Sequence, residues 1–144
     1  MISSENRPSG SVTSASAATL WSRLKQFLLE NRSSIIAYES DNEKNIHLYS
    51  LGNLWLAFDR SAWQLNLVFP DIPVSTLRFQ DAASPLVMTH ISETTLRELV
   101  KDNPSKTITP DHVILSVSKL NLGEYKLWRA NVLDDHDMKP RTNM

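Results

Sequence analysis

The hydrophobic period of this chain changes near residue 33, and that change limits the possible folds more than any other feature. Before it, Leu20, Leu24, Phe27 and Leu28 recur at i, i+4, i+7 and i+8, one face of a helix. Trp21 widens the stripe, Ser22, Arg23, Gln26 and Glu30 form the wet side, and Ser16 is a suitable N-cap. The spacing predicts a helix over 17–31. Beyond it the apolar residues alternate. Ser33–Glu39 is β-rich. In Ile46–Ser50, Ile46 and Leu48 share one face while His47 and Tyr49 share the other. Leu54–Asp59 and Trp63–Phe69 read as the two arms of a hairpin around Arg60-Ser61-Ala62. The second arm has the most regular alternation in the chain, with Trp63, Leu65, Leu67 and Phe69 opposite Gln64 and Asn66.

Pro70 and Pro73 interrupt this pattern, because proline donates no backbone N–H to a ladder. Val74–Phe79 and Leu86–Ile91 are expected as further strands. A second helix is expected over 92–103: Ser92 is its N-cap, Glu93 and Lys101 complement its dipole, Leu96, Leu99 and Val100 form its apolar side, and Pro104 stops it. Asp111–Lys119 reads as a strand, Asn121-Leu122-Gly123 as a turn, and Glu124–Leu133 as the returning strand. In that last strand Tyr125, Leu127 and Arg129 would oppose Lys126, Trp128 and Ala130. Strands in hairpins, without βαβ alternation, argue for an α+β fold. The expected architecture is a curved antiparallel sheet of about seven or eight strands, with the N-terminal helix packed on it and a second helix before a C-terminal β-hairpin. The element order resembles that of small secretion-chaperone-like domains, which implies dimerisation and peptide binding.

The 144 residues suit one domain over 17–133, flanked by a disordered Ser-rich tail at 1–16 and a polar tail at 134–144. The N-terminal stretch lacks the apolar core of a secretory signal, and no run approaches the roughly 20 apolar residues of a membrane span, so a cytoplasmic protein is expected. Cysteine is absent, which excludes disulfides, thiolate metal sites and a cysteine nucleophile. Three glycines, against about ten at average usage, leave no phosphate-cradling loop. Lys and Arg total 15 and Asp and Glu 16, so no general attraction to nucleic acid is built in.

The catalytic and metal candidates are thin. Asp134-Asp135-His136-Asp137 has ligand types for zinc or manganese, but neighbours in an extended chain diverge, and a solvated acidic end explains it. Neither a metal nor a cofactor is expected. Asp111-His112 fits turn chemistry after Pro110. His47 and Tyr49 on one strand face form the more sensible polar pair, with His112 as a further proton carrier. Tryptophan covers much area with few rotors, and Trp55 and Trp128 each sit opposite a bulky apolar set, which leaves them free to face a partner. Lys119, Lys126 and Arg129 around Tyr125 and Trp128 make only a weak basic patch. The candidate binding residues are therefore Trp55, Trp128, Tyr125, Arg129, His47 and Tyr49. The expected function is a non-catalytic protein-binding or assembly module, a homodimer or a subunit of a larger complex. The alternatives are a small-ligand sensor, or an enzyme with a shallow His/Tyr site on the sheet.

Overall fold

The computed structural model describes residues 9–81, 84–137 and 142–143, with side chains over 19–81 and 84–135. The elements run α1 (Ser9–Ser40), β1 (Asn45–Leu51), β2 (Leu54–Phe58), α2 (Asp59–Val68), β3 (Val74–Arg78), β4 (Leu86–Ser92), α3 (Glu93–Asp102), β5 (Ser105–Thr109), β6 (His112–Ser116), α4 (Leu122–Asp137) and β7 (Thr142–Asn143). The chain divides into two compact units, Met1–Ser33 and Ser34–Met144. The first consists, where described, of most of α1. The second holds the end of α1 and everything that follows.

The fold is α+β. One sheet has the order β5-β6-β1-β2-β4-β3-β7. The neighbours from β5 to β3 are all antiparallel, and the two-residue β7 runs parallel to β3. Three hairpins, β1–β2, β3–β4 and β5–β6, are thus joined side by side. The first turns on Gly52, whose φ of 61° lies in the left-handed region that glycine enters without penalty.

In β1, β2, β4 and β6 alternation sends side chains to two faces, and both faces are largely buried. On one face Ile46, Leu48, Trp55, Ala57, Ile91, Val113 and Leu115 form a core with Ala62 and Leu65 of α2 and Leu96 and Leu99 of α3. On the other, His47, Tyr49, Leu56, Phe58, Leu77, Leu86, Met88 and His112 are also buried. The α3 start matches expectation: the Ser92 side chain accepts from the Thr95 amide at 3.2 Å.

The structure corrects several expectations. Ser33–Glu39 continues α1 instead of forming a strand. Among its described side chains Leu24, Leu28, Ile35 and Glu39 are the buried ones, spaced for a helix, and the polar residues Asn31 and Glu39 on this stripe obscure the period. α1 also begins at Ser9, well before residue 17; the first eight residues of the expected tail lie outside the described residues. Trp63–Phe69 is not a strand. Trp63–Val68 belongs to α2 and Phe69 is its C-cap, so the hairpin around Arg60-Ser61-Ala62 does not exist. Glu124–Leu133 is not a strand either, and a helix, α4, replaces the expected C-terminal hairpin. Its signal is present in the sequence: Asn121 Oδ1 accepts from the Glu124 amide at 3.0 Å, an N-cap three residues before a glutamate. Ser105–Thr109, a wholly exposed and mostly polar segment, is an edge strand that the alternation rule does not detect. The antiparallel strands therefore number fewer than the seven or eight expected. The helices α2 and α4 also break the element order on which the resemblance to secretion-chaperone-like domains rested. Among the described residues no helix is long and apolar enough to cross a membrane.

Candidate functional site

Chain pairing builds the most unusual group of side chains. β1 lies beside β6 with Tyr49 opposite His112 and His47 opposite Ile114, so both histidines and Tyr49 point to the same face. His47 Nδ1 and His112 Nε2 come within 3.0 Å. The Tyr49 ring stacks on His112 with centroids 4.5 Å apart and an interplanar angle of 21°. Tyr38, from the end of α1, lies over both histidines at 4.9 and 5.3 Å. Tyr38 is exposed, whereas His47, Tyr49 and His112 are buried beneath it. Burial pushes the His47 imidazole down to about 4, and the neighbouring His112 adds to the effect. Burial lowers His112 as well and raises the Tyr49 phenol. Both imidazoles are therefore neutral at pH 7, one nitrogen of the facing pair donating and the other accepting.

A second polar centre sits one residue further along α1. The Glu39 carboxylate accepts from the Ser61 amide at 2.8 Å, from Ser61 Oγ at 2.6 Å and from Asn42 Nδ2 at 3.5 Å. Ser61 Oγ accepts in turn from the His47 amide at 2.9 Å and from Asn42 Nδ2 at 3.1 Å. The need for this network follows from the chain path. β2 ends at Phe58, and Asp59, at a φ of 45°, swings the chain into α2. β1 therefore loses its ladder partner at His47, and the Ser61 hydroxyl takes that amide instead. Three donors favour the ionised form of Glu39, but desolvation outweighs them and lifts its carboxyl to about 7.

The third centre is Asp59 itself. Its Oδ1 accepts from the Val87 amide at 3.0 Å and pairs with Arg129 Nε at 3.5 Å. Arg129 also bonds the Pro85 carbonyl, and Arg60 lies over the Tyr125 ring at 5.8 Å. Burial raises Asp59 despite these partners. These bonds tie α4 to the start of α2 and to β4.

The titrations of Glu39 and His47 act on stability in opposite directions. A carboxyl raised from 4.5 to about 7 contributes stability that is fully present below pH 4.5 and is lost as pH rises through 7. An imidazole lowered from 6.5 to about 4 contributes stability that is present above pH 6.5 and is lost as pH falls towards 4. Between these limits the two slopes oppose each other. Glu39→Gln removes one of them. Urea denaturation of that variant between pH 4.5 and 6.5, the reference values of the two groups, should give a slope more positive than wild type by about 1.4 kcal/mol per pH unit. Parallel profiles would show that Glu39 carries no raised pKa.

Of the residues singled out from sequence, His47 and Tyr49 do share a buried face, and His112 joins them. Tyr125, Trp128 and Arg129 lie on one side of α4, at helical spacing. Tyr125 and the half-buried Trp128 pack with Trp63 and Leu120, and Arg129 reaches Asp59. Trp55 is not exposed. It is buried in the core, its indole N–H donating to Glu93 Oε1 at 2.7 Å. Asp111 serves the hairpin end, accepting from Ser50 Oγ at 2.6 Å. Among the described residues no three metal-ligating side chains converge; the side chains of His136 and Asp137 lie outside them. Sequence reasoning missed Glu39, Ser61 and Asn42. A polar residue at a buried stripe position, such as Glu39, was the signal available. No family model, curated protein or solved structure matches this chain.

Proposed function

We propose that this chain is a protein-binding or assembly module that pairs with a second copy of itself through the outer side of α2 and α4. The observation that carries this reading is the exposure of Leu67 on α2 and Leu127 on α4, at 57% and 65%. These two helices pack on each other around Trp63, Tyr125 and the half-buried Trp128. Large aromatic side chains beside exposed leucines are the composition of an association surface. The free edge of the sheet supports it less well. β5 is short, carries Lys106, has a register irregularity between Thr107 and Thr109, and is flanked by Pro104 and Pro110, all devices that discourage strand pairing.

Native mass spectrometry of the full chain tests the reading. The expected species has twice the 16.3 kDa chain mass. Each leucine buried on association contributes about 1.5–3 kcal/mol. Each substitution changes both copies, so Leu127→Glu and Leu67→Glu should each weaken the dimer by about a hundredfold or more. Both residues are exposed, so thermal melts of the dissociated variants should match wild type. A monomeric wild type, or a dimer indifferent to both changes, would overturn the proposal.

The alternative of a shallow His/Tyr catalytic site is favoured by the convergence of His47, His112, Tyr38 and Tyr49. It needs a ring nitrogen directed at a substrate; the two facing nitrogens are engaged with each other, which leaves only the outer ones, His47 Nε2 and His112 Nδ1, for that role.

A further inference from the structure

The facing imidazoles set a limit on how many protons the buried layer can hold. In the neutral pair one nitrogen donates across the 3.0 Å contact and the other accepts. A first added proton can go to an outer nitrogen, His47 Nε2 or His112 Nδ1, and leave the shared hydrogen bond intact. The resulting cation lies against the rings of Tyr38 and Tyr49, which moderates its cost. A second added proton cannot be placed this way. It turns the contact into two N–H groups aimed at each other and puts two like charges in one buried layer.

The charged and titratable groups around the pair are committed elsewhere. Glu39 of α1 turns its carboxylate onto Ser61 and Asn42. Asp59 of α2 is held by Val87 and Arg129, and Arg60 bonds the Asn42 carbonyl and lies over Tyr125. Asp111, next to His112, holds Ser50. Tyr38 and Tyr49 meet the histidines through their rings. On the same sheet face, Lys106 of β5 lies opposite Ile114 and adds a like charge, and His90 of β4 lies beyond Leu56.

We propose that the His47–His112 pair is a two-step proton latch: the first proton is held with the hydrogen bond intact, and the second breaks it and frees the Tyr38-bearing end of α1, residues 34–40, from β1 and β6. The core between the sheet, α2 and α3 stays folded through that release. A histidine and a tyrosine ring face would then be uncovered only under acid conditions. The latch is independent of the self-association proposed above, which uses α2 and α4.

The test is a histidine side-chain NMR titration of the full chain from neutral to acid pH, with amide exchange followed in parallel. Signals of His47 and His112 should both report two separated steps, as a coupled pair does. Amide exchange of residues 34–40 should accelerate about tenfold or more at the second step only, while Ile91 and Leu99 stay protected. His112→Phe keeps a ring and removes the shared proton, so it should leave one His47 step and no acid release of residues 34–40. Glu39→Gln should keep both steps. Four outcomes would each overturn the latch: independent titration of the two histidines near 6.5, release in His112→Phe at the wild-type pH, loss of release in Glu39→Gln, or acid release of the whole domain in a single transition.

Discussion

Phe58→Ala is expected to lower unfolding stability by about 3–5 kcal/mol, a large share of the roughly 5–15 kcal/mol that holds a domain together. Phe58 is fully buried at the end of β2, and its ring lies 5.9 Å from that of Tyr49. Leu56 and Met88 flank it on the same face, all of them buried. It is also the last residue before the chain turns through Asp59 into α2, so its backbone cannot shift far to fill a vacated volume. The loss should therefore combine the transfer free energy of the ring with a cavity that stays open. Phe58→Leu should cost less than half as much. Urea denaturation would show a lower midpoint with an unchanged m-value. A loss of about 1 kcal/mol or less would mean that the face collapses around the gap, and that the β2–α2 junction is softer than the structure indicates.

Ser61→Ala is expected to cost about 2–4 kcal/mol, more than an ordinary hydroxyl, because one oxygen serves three buried partners. It accepts from the His47 amide and from Asn42 and donates to Glu39. Alanine keeps the volume close but strands the His47 amide, which has no ladder partner at that end of β1. It also removes one of the donors that offset the burial of Glu39, so the Glu39 carboxyl should rise further. A double-mutant cycle separates the two effects. Ser61→Ala should cost about 0.5–3 kcal/mol less in a Glu39→Gln background than in wild type. Additive losses would show that Glu39 and Ser61 are not coupled, contrary to the network described.

Local chemistry was legible where a segment's own pattern decided its state. β1, β2, β3, β4 and α3 were all recoverable, because each lies in a short β-rich run bounded by turn residues or carries its own capping signals. The shared face of His47 and Tyr49 was legible for the same reason, since side-chain alternation is a property of a single strand. The contact with His112 was not, because it is set by the register between β1 and β6, some 65 residues apart in sequence. Nor was the burial of Trp55. Alternation places Trp55 opposite Leu56 and Phe58, but only the packing of α2 and α3 makes that second face an interior.

The three segments expected as strands that became helices share one physical cause. Ser33–Glu39 precedes β1, Trp63–Phe69 follows β2, and Glu124–Leu133 follows β6. In the sheet β1 is flanked by β6 and β2, β2 by β1 and β4, and β6 by β5 and β1. Each neighbouring strand already has both edges paired, so a further hairpin arm has nowhere to bond. A helix satisfies its backbone internally and needs only one buried side, which Ile35 and Glu39 supply in α1, Ala62 and Leu65 in α2, and Tyr125 and Trp128 in α4. Short apolar runs fit both periods. The sequence alone determined that this chain is α+β, where its strongest strands lie and which residues share a strand face. Which edges are filled, and therefore which ambiguous runs must coil, was decided by pairings between distant segments that no local pattern records.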